Sequence, residues 1–231
     1  MSKCILCLRS LPIFDGLAME DFKNVCLNAS KITLKKGDFL FCREQAADTI
    51  YLIKEGIIKL AQCTEEGKEI ILDIVGRGNV LGEMALFKKQ KHLSDAVALE
   101  EVHVCAFSLS QFETLIKNKP NIALSVIANL GQKLYSAMQQ LSDTANYSVE
   151  DKLLALFFRL AKEYGKETSS GQLIELNLTQ QDMANMIGAS RVMVAQVIKK
   201  FKEAGFLTKQ GRYYVLKDQC LNTKFINTEA L

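Results

Sequence analysis

The hydrophobic period changes once along this chain, and that change limits what it can fold into. Between roughly residues 31 and 109 the runs "KKGDFLFC", "TIYLIKEGIIKLAQC", "EIILDIVGRGNVLGEMAL" and "AVALEEVHVCAFS" are short and rich in Ile, Val, Leu and Phe. Gly37, Gly56, Gly76, Gly78 and Gly82 punctuate them, and no helical period competes. "TEEGKE" lies between two strand-like runs and predicts a hairpin. Several short strands at this spacing predict an all-β barrel or roll. From Pro120, a residue tolerated in a first helical turn, the pattern "NIALSVIANLGQKLYSAMQQLSD" is helical.

Within that helix Ile127, Leu134 and Leu141 stand seven apart, with Leu130, Ala137 and Met138 filling the intervening turns. This is an apolar seam at near-heptad spacing. Such a seam either packs on its own β domain or pairs with a second copy. The helix's length and its place between two domains favour self-association. Gly131, mid-helix, allows a second backbone to approach closely. Further on, "SVEDKLLALFFRLAKEYG" predicts a helix with Ser148 as N-cap. "KETSSGQLIELNL" reads as a turn and one short strand, and "AGFLTKQGRYYVL" as a small basic hairpin around "KQGR".

The chain of 231 residues has room for two modest domains, and its 48% apolar and 24% charged residues are ordinary for a globular protein. No run of eighteen apolar residues predicts a membrane span, and "MSKCILCLRSLPIF" lacks the features of a signal peptide. The seven cysteines (Cys4, Cys7, Cys26, Cys42, Cys63, Cys105 and Cys220) are scattered and odd in number. They fit a reducing, cytoplasmic setting better than a disulfide scaffold. Residues 1–147 carry 17 basic and 17 acidic side chains, whereas residues 148–231 carry 12 against 9. Within 191–217, Arg191, Lys199, Lys200, Lys202, Lys209, Arg212 and Lys217 face Glu203 alone. A solvated charged face is one reading of that excess, and a phosphate-binding footprint is the other.

The stretch "LTQQDMANMIGASRVMVAQVIKKFKEAG", residues 178–205, favours the second. Thr179 is a good N-cap, and Asp182 stands at capping-box spacing. Met183, Met186 and Ile187 form an apolar face, Ala184 is small where a second helix must cross, and Gly188 falls where the chain must turn. Ser190 caps a further helix in which Val194, Val197, Ile198 and Phe201 recur at helical spacing. The combination is a helix-turn-helix pattern. Its second helix would then offer Ser190, Arg191, Val192 and Gln196 to base edges, with Met193 and Ala195 beside them. Arg191 suits guanine, Gln196 adenine and Val192 a thymine methyl. Thr179, Gln180, Lys199, Lys200, Lys209 and Arg212 suit backbone phosphates.

A roll carrying "GNVLGEMALF", a long helix, then "LTQQDMANMIGASRVMVAQVIKKFKEAGFLTKQGRYYVL" resembles the bacterial CRP/FNR regulators, from about Leu11 to Leu216. The resemblance implies an α+β fold: an N-terminal double-stranded β-helix (a cyclic-nucleotide-binding-like β-roll) over residues 1–118, a dimerisation helix over 119–146 and a C-terminal winged helix-turn-helix over 147–231. It further implies a homodimer joined through Ile127, Leu130, Leu134, Met138 and Leu141, double-stranded DNA carrying an inverted repeat, and RNA polymerase recruited or blocked. No membrane partner is expected. Related regulators usually carry Glu where Val192 stands and Arg where Gln196 stands, so a different operator is expected.

Other departures bear on the effector pocket, which the resemblance puts at Gly82, Glu83, Met84, Leu93, Ser94, Ala137 and Met138. Cyclic-AMP-binding members follow their Gly-Glu, eleven positions on, with an Arg-Ser pair that holds the cyclic phosphate and ribose. Here Gly82–Glu83 is followed by Leu93–Ser94. Losing that charge-assisted contact removes roughly 1.5–3 kcal/mol. Ala137 and Met138 replace two hydroxyl residues that meet the adenine, so cyclic AMP is not the expected ligand and the pocket is expected to be apolar.

The oxygen-sensing branch holds an iron–sulfur cluster on three N-terminal cysteines and one in the last strands of the roll. Cys4, Cys7 and Cys105 match three of these positions, and residues 8–16 hold no further cysteine, so a complete four-cysteine site is not expected. Another branch with a similar Cys-x-x-Cys start works by thiol–disulfide switching, which makes Cys4, Cys7 and Cys105 redox candidates. The alternative is that they are small hydrophobes and a free tail. His92 and His103 are the only histidines. His92, in the polar "KKQKHLSD", reads as a surface residue, and haem ranks below the thiol switch. A cupin-like metal-dependent protein would need two or three convergent histidines with a carboxylate, and this histidine spacing argues against any metal site.

Overall fold

The computed structural model describes residues 29–86, 90–146 and 148–217. They divide into two compact units, and the division falls between Met138 and Gln139. In the first unit, one four-stranded sheet runs β1 (Ser30–Leu34), β8 (Val102–Ser108), β3 (Thr49–Glu55) and β6 (Val80–Leu81) in spatial order. The other runs β2 (Phe39–Phe41), β7 (Asp95–Ala98), β4 (Ile58–Cys63) and β5 (Glu69–Val75). Every pairing is antiparallel, and the expected hairpin joins β4 to β5. Leu34, Phe41, Ile53, Ile58, Leu81 and Val104 come from both sheets and fill the space inside the roll. This apolar interior holds the two sheets together.

The roll exits into α1 (Leu109–Asn118), which the sequence reading passes over. Its start was encoded: Ser108 caps it and Gln111 completes a reciprocal capping box. Phe112 is buried against Phe107, with ring centroids 6.2 Å apart. Next, α2 (Pro120–Asn146) presents two unlike faces. Ile122, Val126 and Leu130 pack into a cluster with Ile50, Leu52 and Phe107 of the roll. On the opposite side Leu124, Ile127, Leu134, Tyr135 and Met138 are exposed. The side chain of Leu141 lies outside the described residues, as do Cys4 and Cys7.

The second unit opens with α3 (Val149–Tyr164), capped by Ser148 and Asp151, whose Leu153, Leu156, Phe157 and Leu160 are buried. A four-stranded sheet follows in the order β11 (Leu207–Gln210), β12 (Tyr213–Leu216), β10 (Gly171–Ile174), β9 (Gly165–Thr168). The expected single strand is thus a hairpin, because β9 is a polar edge strand that leaves no apolar alternation to read. The helices α4 (Gln180–Ile187) and α5 (Arg191–Glu203) complete the unit as a winged helix-turn-helix. No helix among the described residues is long and apolar enough to cross a membrane.

Candidate functional site

Local chemistry fixes the helix pair. The Thr179 hydroxyl accepts from the Asp182 amide at 3.1 Å, and the Asp182 carboxylate accepts from the Thr179 amide at 2.8 Å. Gly188 ends α4 with φ 66° and ψ 31°, a left-handed conformation that disfavours any residue with a Cβ. Ser190 then caps α5, its hydroxyl accepting from the Met193 amide at 3.2 Å. Met183 and Ala184 of α4 and Val194, Val197, Ile198 and Phe201 of α5 are buried. Arg191 is exposed at the first turn of α5, and Val192, Gln196 and Lys199 are exposed on the side away from the buried residues. Val192 is 67% exposed, an unusual setting for a β-branched apolar side chain on a helix.

The cations around this face differ in their partners. Lys200 pairs with Glu150 of α3 at 3.0 Å, and Lys199 lies 3.8 Å from Glu203. Both pairs are exposed, so each contributes about 0–1 kcal/mol and exchanges readily for another anion. On the wing, the Arg212 guanidinium sits 5.0 Å from the centre of the Tyr213 ring. The Nζ atoms of Lys209 and Lys202 lie 5.7 and 6.0 Å from the centre of Tyr214. Gln180 is hydrogen-bonded to Tyr214, whose phenol is pushed above its ordinary pKa by burial and partly lowered by that bond. The structure thus brings Gln180 and Lys209 to one aromatic post, together with Lys202. Lys202 belongs to the basic excess visible in the sequence, and its contact with Tyr214 comes from the fold.

In the roll, Gly82 has φ +76°, and a Cβ there would lie 2.2 Å from the Thr49 carbonyl oxygen. It releases β6 into a single 3-10 turn, Glu83–Leu86. Glu83 is not in an apolar setting. Lys133 of α2 donates to its Oε1 at 2.9 Å and to the Val80 carbonyl at 2.7 Å. Beside it, Asn129 donates to the Asn79 side chain at 3.1 Å. This corrects the expectation of an apolar pocket. Met84 packs on the roll's helix-facing cluster. Ser94 is buried, whereas Leu93 is 62% exposed, its carbonyl accepting from Gln62. Ala137 and Met138 are exposed; Ala137 follows Lys133 one turn along the same side of α2, whereas Met138 stands away from it.

His92 is a second correction: it is 4% exposed, not a surface residue. Its ring stacks on Phe41 with centroids 3.7 Å apart and planes 9° from parallel. Burial pushes the imidazole below its ordinary pKa, while Asp48 and Glu83 act in the opposite direction. His103 instead sits at the surface, within 3.1 Å of Thr33 and 3.3 Å of Glu101. Cys105 has no exposed surface and packs among Ile50, Leu52 and Phe107. A thiol there behaves as a small apolar group. Of the seam residues, Ile127, Leu134 and Met138 are exposed, and Leu130 turns to the roll.

A double-sheet roll, a long helix and a winged helix-turn-helix in one chain define a class, the transcription regulators built from a cyclic-nucleotide-binding-type domain and a DNA-binding domain. Residues 31–119 match the cyclic nucleotide-binding domain, and residues 151–221 match the Crp-like helix-turn-helix domain. Together the two matches span more than half of the chain. A CRP-like cAMP-activated global transcriptional regulator of Mycobacterium tuberculosis is 22% identical over 206 residues, 89% of this chain and 92% of that one. An anaerobic regulatory protein of Bacillus subtilis is 25% identical over 181 residues, 78% of this chain and 76% of that one. Among solved structures, the c-di-GMP responsive global regulator CLP of Xanthomonas campestris has a TM-score of 0.72 at 21% identity, covering 87% of this chain and 99% of that one. FixK2 of Bradyrhizobium japonicum has a TM-score of 0.73 at 16% identity, covering 84% and 96%. The chain belongs to the CRP/FNR family of transcription regulators.

Proposed function

We propose that the protein is a sequence-specific regulator that binds an inverted-repeat operator as a homodimer, with an effector other than cyclic AMP. One observation carries the DNA reading: α5 buries Val194, Val197, Ile198 and Phe201 and leaves Arg191 exposed in its first turn and Val192 and Gln196 exposed on the opposite side. The exposed N-terminal half of α5 thus offers one guanidinium, one amide and one branched apolar group, three chemistries that distinguish base edges in a major groove. Arg212, Lys209 and Lys199 are exposed around it and suit phosphates. The uncovered apolar face of α2, with Ile127, Leu134 and Met138 exposed, supports self-association. Gly131 lies within that face, with open space where a Cβ would be. Recruitment or obstruction of RNA polymerase belongs to the same reading.

The effector reading rests on Leu93, which supplies no charge where a cyclic phosphate needs one, and on Glu83, already engaged by Lys133. Selection of bound duplexes from a random DNA pool tests the function. The selected motif should be two-fold symmetric, with half-sites one helical turn, about 34–36 Å, apart, and cyclic AMP should leave it unchanged. A pool without an enriched motif would overturn the reading.

A further inference from the structure

We propose that Lys202, Lys209 and Gln180 form a seat for the phosphate backbone of one DNA strand, with Tyr214 as the residue that positions it. The inference rests on the DNA-binding reading above and adds a contact to it. Tyr214 is 6% exposed, and its ring meets Phe157 edge-on, with centroids 5.4 Å apart at 60°. It is a fixed post in the sheet of the wing. Lys202 reaches it from the last turn of α5, and Lys209 from β11. Two ammonium groups from different elements thus converge on one ring.

Like charges brought together repel, and the two neighbouring lysines of α5 are answered by carboxylates. Lys199 has Glu203 and Lys200 has Glu150. Among the described residues, no carboxylate lies at ion-pairing distance from Lys202 or Lys209. The face of an aromatic ring contributes about 0.5–1 kcal/mol to an exposed cation, which leaves both ammonium groups able to take an anion. The third donor is on the same post: the Gln180 side chain, at the first residue of α4, is hydrogen-bonded to Tyr214. Two cations and an amide held around a buried ring suit the oxygens of a nucleic-acid backbone and carry no base preference.

The test measures the salt dependence of binding to the selected operator and to random duplex, using the full-length protein. Each substitution removes one contact per protomer of the dimer, so K202A and K209A should each reduce the slope of log affinity against log salt by about 1.8, and K202R and K209R should restore it. Y214F keeps the charge, so its slope should match the wild type. Its affinity should fall about threefold or more on operator and random DNA alike, with an unchanged thermal midpoint. Wild-type slopes in both alanine variants would overturn the seat, and wild-type affinity in Y214F would overturn the positioning role. Wild-type protein that binds no DNA would instead refute the reading on which the seat rests.

Discussion

Lys133 of the long helix and Glu83 of the roll form an ion pair at 2.9 Å, with both side chains only 18% exposed. The residues are fifty apart in sequence, and the Val80 carbonyl accepts a second hydrogen bond from the same ammonium. The pair therefore fastens α2 to the turn that follows β6, beside the apolar contacts of Ile122 and Val126. Removing Lys133 leaves a half-buried carboxylate without its cation. K133A should cost about 1–3 kcal/mol in urea unfolding, and the K133M/E83Q double variant should recover part of that loss. Equal stability of K133A and wild type would contradict this role.

His92 predicts a pH dependence. Its folded pKa lies below the ordinary value of 6.5 because burial disfavours the charged ring. In the window between those two values the unfolded chain binds the extra proton and the folded chain does not. Stability therefore rises with pH through the window and is lost as pH falls below about 6.5. H92F keeps the stacking shape against Phe41 and removes the proton site. Thermal midpoints measured from pH 8 to pH 5 should fall less in H92F than in wild type. Parallel curves would contradict the assignment.

The exposed face of α2 predicts oligomeric state. Ile127 and Leu134 are each 63% exposed and touch no core of their own roll. I127D and L134D should convert a dimer to a monomer in sedimentation while leaving the roll's thermal midpoint within about 1 kcal/mol of wild type. A dimer that survives both substitutions at micromolar concentration would contradict the seam.

Thiol accessibility separates the cysteines. Cys63 is exposed and Cys105 is buried. An aromatic disulfide reagent should modify Cys63 in the native protein and reach Cys105 only on unfolding. Native labelling of Cys105 at the rate of Cys63 would contradict this ordering and support the thiol switch.

What the sequence revealed depended on how local the cause was. Thr179, Asp182, Gly188 and Ser190 act within four residues of themselves, so the helix pair and its caps were legible. The Ser108–Gln111 box was equally local and marks the start of α1, which lies between the last strand of the roll and Pro120. The burial of His92 was not legible, because it comes from Phe41, which β2 carries 51 residues earlier in the chain. The Lys133–Glu83 pair was hidden for the same reason, and the expected apolar pocket failed with it. In the DNA-binding unit the same limit applied to Lys202: its charge was visible, but its convergence with Lys209 on Tyr214 required the tertiary packing of α5 against the sheet.

The central claim is that α5 reads base edges. Replacing Arg191 and Gln196 with alanine and comparing gel shifts on the selected operator and on random duplex tests it most directly. The predicted result is a loss of about 1–3 kcal/mol per side chain on the operator, down to the level of random DNA, with salt-sensitive binding retained on both. An R191A/Q196A protein that still prefers the operator would contradict the account.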